Sequence, residues 1–85
     1  MKITKKIILE NTESVEFSTS IFGRKFSHYY QHKNDSNDYE SFESNYYDGC
    51  VYRHRGPNTK IIGYATTKKE FINIVFSYIK NKKLS

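Results

Sequence analysis

The residues able to do chemistry in this chain are three histidines, one cysteine and a scatter of carboxylates. None stands at a spacing that a reaction requires. His28 and His32 fall on one side of an extended segment. Four residues at about 3.3 Å each put them ~13 Å apart, too far for two ligands of one metal ion. His54 lies between Arg53 and Arg55, a cationic setting that disfavours a metal. Cys50 has no C-x-x-C partner. A nucleophile also needs a base and an orienting group, and a cysteine directly after Asp48-Gly49 reads as a small packing residue. Glu40 and Glu43 fall on opposite faces of a strand, so they do not form a carboxylate pair. No G-x-x-x-x-G-K, G-x-G-x-x-G or G-x-S-x-G stretch occurs, which excludes phosphate loops and hydrolase elbows. The one nucleolytic alternative is a His/Arg group of Arg53, His54 and Arg55. The expectation is a binding protein rather than an enzyme, without metal or cofactor.

Binding has better material. Eight Tyr and six Phe interleave with basic residues, as in Arg24-Lys25-Phe26-Ser27-His28-Tyr29-Tyr30 and Tyr52-Arg53-His54-Arg55. Aromatic rings beside cations suit base stacking and phosphate neutralisation in direct DNA or RNA contact. Tyrosine and arginine equally dominate protein interfaces, because they bury large areas at low entropic cost. The expected partner-binding residues are Tyr47, Tyr52, Arg53 and Arg55 around a hairpin turn, Lys68 and Lys69 at a helix start, and Ile72 and Phe76 on that helix's flank. Lys68 and Lys69 oppose the helix dipole there, yet beside free N–H groups they can hold an anion.

These side chains must be positioned by one dominant element. Phe71, Ile74, Val75, Tyr78 and Ile79 recur at helical spacing. Thr67 with Glu70 forms a capping box, and Lys80, Lys82 and Lys83 suit the C-terminal end of the dipole. This predicts a helix over 67–82. Its apolar arc extends to Ile72 and Phe76, about 200° of the wheel at about 100° per residue. One sheet face needs less. The two residues are expected to pack beneath a loop; left open, they form a patch for a partner or for a homodimer.

Upstream, alternation predicts strands over 2–9, 14–21, 24–32, 39–47, 50–55 and 59–65. The first is irregular: Ile3, Ile7 and Leu9 face one way and Lys2, Thr4 and Lys6 the other, but Lys5 interrupts the apolar side and Ile8 falls on the polar one. Its lysines would suit an edge strand. Asn34-Asp35-Ser36 reads as a turn. Asp48-Gly49 predicts a two-residue type I′ hairpin, which pairs Tyr47 with Cys50, Tyr46 with Val51, Asn45 with Tyr52, Ser44 with Arg53 and Glu43 with His54. Tyr47 and Tyr52 then share one face, and Arg53 and Arg55 the other. Two guanidinium groups cost more to bury than two tyrosines, so Arg53 and Arg55 are expected in solvent. Gly56-Pro57-Asn58 is a second turn. The predicted fold class is α+β, an antiparallel meander of five to six strands packed against one C-terminal α-helix, in a single domain over 1–85.

At 85 residues and net charge +5, the core is small and leans on aromatic side chains. Charge is segregated: +3 over residues 1–33, −5 over 34–50 and +7 over 51–85. That suggests an acidic pole and basic surfaces. A lone cysteine fits a reducing cytoplasm. The N-terminal apolar run of three residues is neither a signal h-region nor a membrane span. Abundant Lys, Asn, Ile and Tyr, whose codons are A/T-rich, together with small size, point to a phage or mobile-element product. The expected role is a stoichiometric, anti-CRISPR-like or other anti-defence inhibitor of a larger host protein or protein–nucleic acid complex. The alternatives are a small DNA- or RNA-binding regulator and an antitoxin or immunity protein.

Overall fold

Period-two alternation between residues 13 and 64 folds as five consecutive antiparallel strands. The computed structural model describes residues 3–21, 23–34 and 36–84, with 82–84 by their backbone alone. A helix α1 (Lys5–Asn11) precedes strands β1 (Glu13–Thr19), β2 (Gly23–Lys33), β3 (Tyr39–Ser44), β4 (Cys50–Arg55) and β5 (Asn58–Tyr64), and α2 (Lys68–Leu84) follows. The strands lie in the order β1-β2-β3-β4-β5. Connections of two to five residues, 56–57 being the shortest and 34–38 and 45–49 the longest, leave no room for a crossover. The expected sheet and C-terminal helix are what the chain forms. Lys2, Asp35 and the side chains of Lys82 and Lys83 lie outside the described residues.

Side-chain alternation divides the sheet into two faces. The pairs Ser14↔His28, Tyr30↔Phe42, Ser44↔Val51 and Phe42↔Arg53 put these residues on one face, and α2 lies across it. Tyr30, Phe42 and Val51 pack there with Phe71, Ile72, Val75 and Ile79 of the helix. Tyr78 meets Phe42 edge to face at 5.9 Å between ring centroids. Close approach of α2 to β5 depends on Gly63, where a Cβ would come within 3.1 Å of Ile74. A bulge between Val51 and Tyr52 accommodates Ile62, which packs toward the core while Ile61 stays exposed. Thr67 caps α2 as expected, its hydroxyl accepting from the Glu70 N–H at 3.2 Å. The Glu70 carboxylate reaches one residue further back, accepting from the Thr66 N–H and hydroxyl.

Two expectations are corrected. The described part of the expected first strand, residues 3–9, does not pair as a strand, and the C-terminal helix is not the only one. Thr4 caps α1, accepting from the Ile7 N–H at 3.2 Å. Ile3 before the cap and Ile8 four residues after it stand where a hydrophobic staple requires apolar residues. Ile8 is fully buried and Ile3 packs on the same core. The last carbonyls are taken by side chains, Asn11 donating to Ile7 O and Thr12 to Ile8 O. The misfits Lys5 and Ile8 were the signal: they are out of phase for a strand and in phase for a helix. A substitution pair tests this. Ile8→Ala is expected to cost about 2–5 kcal/mol and the half-exposed Ile7→Ala little, measured by urea denaturation. A strand would reverse the order.

The β3–β4 turn is also longer than the two residues predicted. Residues 45–49 form the loop, and pairing starts with Ser44↔Val51 and Glu43↔Tyr52. Side chains capture the loop's amides: Asn45 Oδ1 accepts from Tyr47 N–H at 2.7 Å and Asp48 Oδ1 from Cys50 N–H at 2.9 Å. Such Asx interactions compete with the tight hairpin. The register slips by two residues, which preserves the faces. Glu43 and His54 are therefore diagonal, yet still meet at 2.7 Å. The second turn lies where expected but is one residue shorter, Gly56-Pro57, because Asn58 already pairs with Arg55. Gly56 at φ +58° before a proline gives the φ signs of a type II′ turn.

Candidate binding surfaces

The face of the sheet away from α2 carries a row of neighbours across all five strands: Glu13, Tyr29, Glu43, Tyr52 and Ile61. Tyr64 lies opposite Cys50 and Tyr39 opposite Lys33. Val15, Tyr39, Ile61 and Tyr64 are 50–68% exposed, a high value for side chains of this size gathered on one surface. Phe17 stacks on Tyr46 at 4.2 Å and Tyr46 on Tyr47 at 4.5 Å, extending the aromatic surface over the 45–49 loop. Cys50 is covered here; burial pushes its thiol up, the reverse of what an activated nucleophile needs. Among the strand residues on this face the charges balance, Glu13 and Glu43 against Lys25 and Lys33. The surface is aromatic and nearly neutral. Of its residues, Tyr47 and Tyr52 were expected at a partner surface and Tyr29 stands in the aromatic and basic stretch 24–30. Tyr39, Ile61 and Tyr64 were not expected there, although strand alternation and a single covering helix were enough to leave one face open.

Arg53 is not in solvent. Its side chain is 11% exposed, and it donates through Nε and Nη2 to Glu40 Oε2 at 2.8 and 2.6 Å. Glu40 is 3% exposed, and its other oxygen lies 3.3 Å from His32 Nε2. The Arg53 guanidinium also sits over the Tyr78 ring at 5.5 Å. The burial penalty assumed a guanidinium without a partner; a facing carboxylate and an aromatic ring remove most of it. Arg53 is therefore part of the folded structure rather than a free anchor. Arg55 is about one-third exposed and pairs with Asp38 at 2.7 Å, a surface contact worth little.

These pairs also offset much of the expected acidic pole. The carboxylates of 34–50 are crowded in sequence, but antiparallel pairing sets β3 and its preceding loop beside Arg53, His54 and Arg55 of β4. Asp38 meets Arg55, Glu40 meets Arg53 and Glu43 meets His54. Further positive charge lies on the helices. Their described side chains include Lys5, Lys6, Lys68, Lys69 and Lys80 against Glu10 and Glu70.

Lys68, Lys69 and Ile72 come together, as expected, but α1 joins them. Lys5, Lys6, Leu9, Lys68, Lys69, Ile72 and Asn73 line a groove of about 420 Å³ between the helices. Ile72 is buried, and Phe76 is partly buried beneath Lys5, whose ammonium lies 5.5 Å from the ring. The flank offered to a partner or a second copy is thus roofed by a helix rather than by a loop.

Burial, followed by the field of Lys68, holds the His28 imidazole below its ordinary 6.5. Its Nδ1 lies 2.7 Å from the Ser14 hydroxyl. A folded pKa below the unfolded one means that the unfolded state binds the proton first. The contribution is then complete above pH 6.5 and lost as pH falls from there through the folded value. His28→Gln is expected to remove this component from the slope of stability against pH below 6.5. An unchanged slope, measured by urea titrations across that range, would refute it.

Among the described residues no three His, Cys, Asp or Glu side chains gather as metal ligands, and no helix is long and apolar enough to cross a membrane. Comparison with protein-family models, curated proteins and solved structures returns no match.

Proposed function

We propose that this chain is a non-enzymatic binding domain that occupies a larger host protein, or the protein part of a protein–nucleic acid complex, through the open face of its sheet. It acts stoichiometrically in the cytoplasm, in the manner of a mobile-element inhibitor. The observation that supports this reading is the uncovered, charge-balanced aromatic face. Tyrosines fixed on strands supply buried area at little entropic cost. A surface that tracks a phosphate backbone needs an excess of cations, which this face lacks. The alternative, direct DNA or RNA contact, therefore fits it less well.

The test is capture of the partner from host lysate, with and without nuclease, by the parent chain and by a Tyr29→Ala/Tyr64→Ala variant. Both positions are at least one-third exposed, so the fold is expected to tolerate the change. Capture is expected to survive nuclease and raised salt, and affinity for the captured partner to drop at least ten-fold in the variant, about 1.4 kcal/mol. Loss of capture on nuclease treatment overturns the reading in favour of nucleic acid. Undiminished affinity in the variant moves the working surface elsewhere.

A further inference from the structure

We propose that the groove between α1 and α2 is a second docking site, one that takes an acidic segment of a partner protein. An apolar side chain of that segment seats on Leu9 and Ile72, and its carboxylates meet Lys5, Lys6, Lys68 and Lys69.

The groove is marked by what it lacks. Among the described residues, Arg24, Arg53, His54 and Arg55 each lie within 4 Å of a carboxylate. No carboxylate of the described residues is so placed for any of the four groove lysines, and none lines the groove. Two of the four, Lys68 and Lys69, begin α2, where the dipole makes a cation unfavourable by a few tenths of a kcal/mol. Stability of the helix therefore does not account for them. The field of Lys68, second to burial, reaches inward as far as His28. Four like charges around one concavity give a local potential that selects an anion.

The floor narrows the choice of anion. Leu9 is 49% exposed although it sits on a seven-residue helix whose Ile8 is wholly buried. Ile72, 7% exposed, lines the groove beside it. A phosphodiester backbone gains nothing from covering leucine and isoleucine. A flat bilayer surface does not fill a concavity of about 420 Å³. A peptide carrying carboxylates beside an aliphatic side chain matches both rim and floor. The volume of about 420 Å³ falls within the ~300–1,000 Å³ of ligand-binding clefts.

This site lies on the helical layer, opposite the open sheet face, so the two surfaces can be tested separately. The probe is a fluorescein-labelled peptide of glutamates with interspersed leucines, titrated by anisotropy into the full chain. A glutamate–serine peptide of equal charge, oligo-dT and phosphatidylserine-containing vesicles are the comparisons. The glutamate–leucine peptide is expected to bind at least about ten-fold tighter than the glutamate–serine one. Lys68→Ala/Lys69→Ala is expected to weaken it about ten-fold and to flatten its salt dependence, with thermal stability unchanged or raised. Leu9→Ser is expected to weaken it without altering the salt dependence. Tyr29→Ala/Tyr64→Ala should leave peptide binding untouched, so failure of one surface is read independently of the other. Tighter lysine-dependent binding of oligo-dT or vesicles overturns the proposal in favour of nucleic acid or membrane. Peptide binding indifferent to Lys68, Lys69 and Leu9 overturns the site itself.

Discussion

Arg53→Ala will destabilise the domain by about 3–5 kcal/mol, the cost of stripping one partner from a buried ion pair. Glu40, 3% exposed, would keep its negative charge inside the fold without the guanidinium that donates to it from 2.6 Å. Tyr78 would lose the cation over its ring. Against a total stability of roughly 4–13 kcal/mol for a chain this long, that is a large fraction. The control is replacement of both members, Glu40→Leu with Arg53→Met, which should recover part of the loss: neither charge is then buried, although His32 Nε2 loses the carboxylate 3.3 Å away. Urea denaturation of the parent, the two single variants and the double variant closes the cycle. An Arg53→Ala protein that unfolds at the parent's midpoint would show that the pair contributes nothing. The same experiment guards the functional assays, since weak binding by an Arg53 variant would report damage to the fold rather than a lost anchor.

Val75→Asp should abolish the folded state. Val75 has no exposed surface and sits at the centre of the α2 stripe, in one cluster with Phe71, Ile72 and Ile79 and with Phe42 and Val51 of the sheet. A carboxylate placed there has no partner, and its desolvation alone reaches several kcal/mol even after relaxation. Loss of the packed methyl groups adds to it. The expected observation is a chain without a cooperative thermal transition, while Lys80→Asp, on the exposed side of the same helix, keeps one. Parent-like melting of the Val75 variant would mean that α2 presents a different face to the sheet.

The parts of the fold that could be read from residues are those governed by local periodicity. The stripe from Phe71 to Ile79, the Thr67 cap and the alternation of Val15, Phe17 and Thr19 each report a geometry that the chain imposes on itself within a few residues. The faces of β3 and β4 survived even a wrong turn length, because a two-residue slip leaves parity intact. Residues 5–11 were legible in principle through the Ile3–Ile8 staple, but the apolar residues Ile3, Ile7 and Leu9 fit a strand almost as well. What separates the readings is the bare flank of α2 at Ile72 and Phe76, which only a neighbouring helix covers.

Charge is where the sequence and the folded molecule part most sharply. Composition by itself determined that this is a small basic domain rich in tyrosine, with one helix long enough to organise a sheet. It could not determine which charges remain available. Glu40 and Arg53 stand thirteen positions apart and His32 eight from Glu40, and only the β2–β3–β4 pairing brings them into one buried group. That pairing offsets much of an acidic segment and buries an arginine that propensity puts in solvent, while among the described residues Lys5, Lys6, Lys68 and Lys69 have no carboxylate beside them. Periodicity is a property of neighbours along the chain, whereas ion pairing and exposure depend on neighbours across space. Tertiary structure alone supplies the second set.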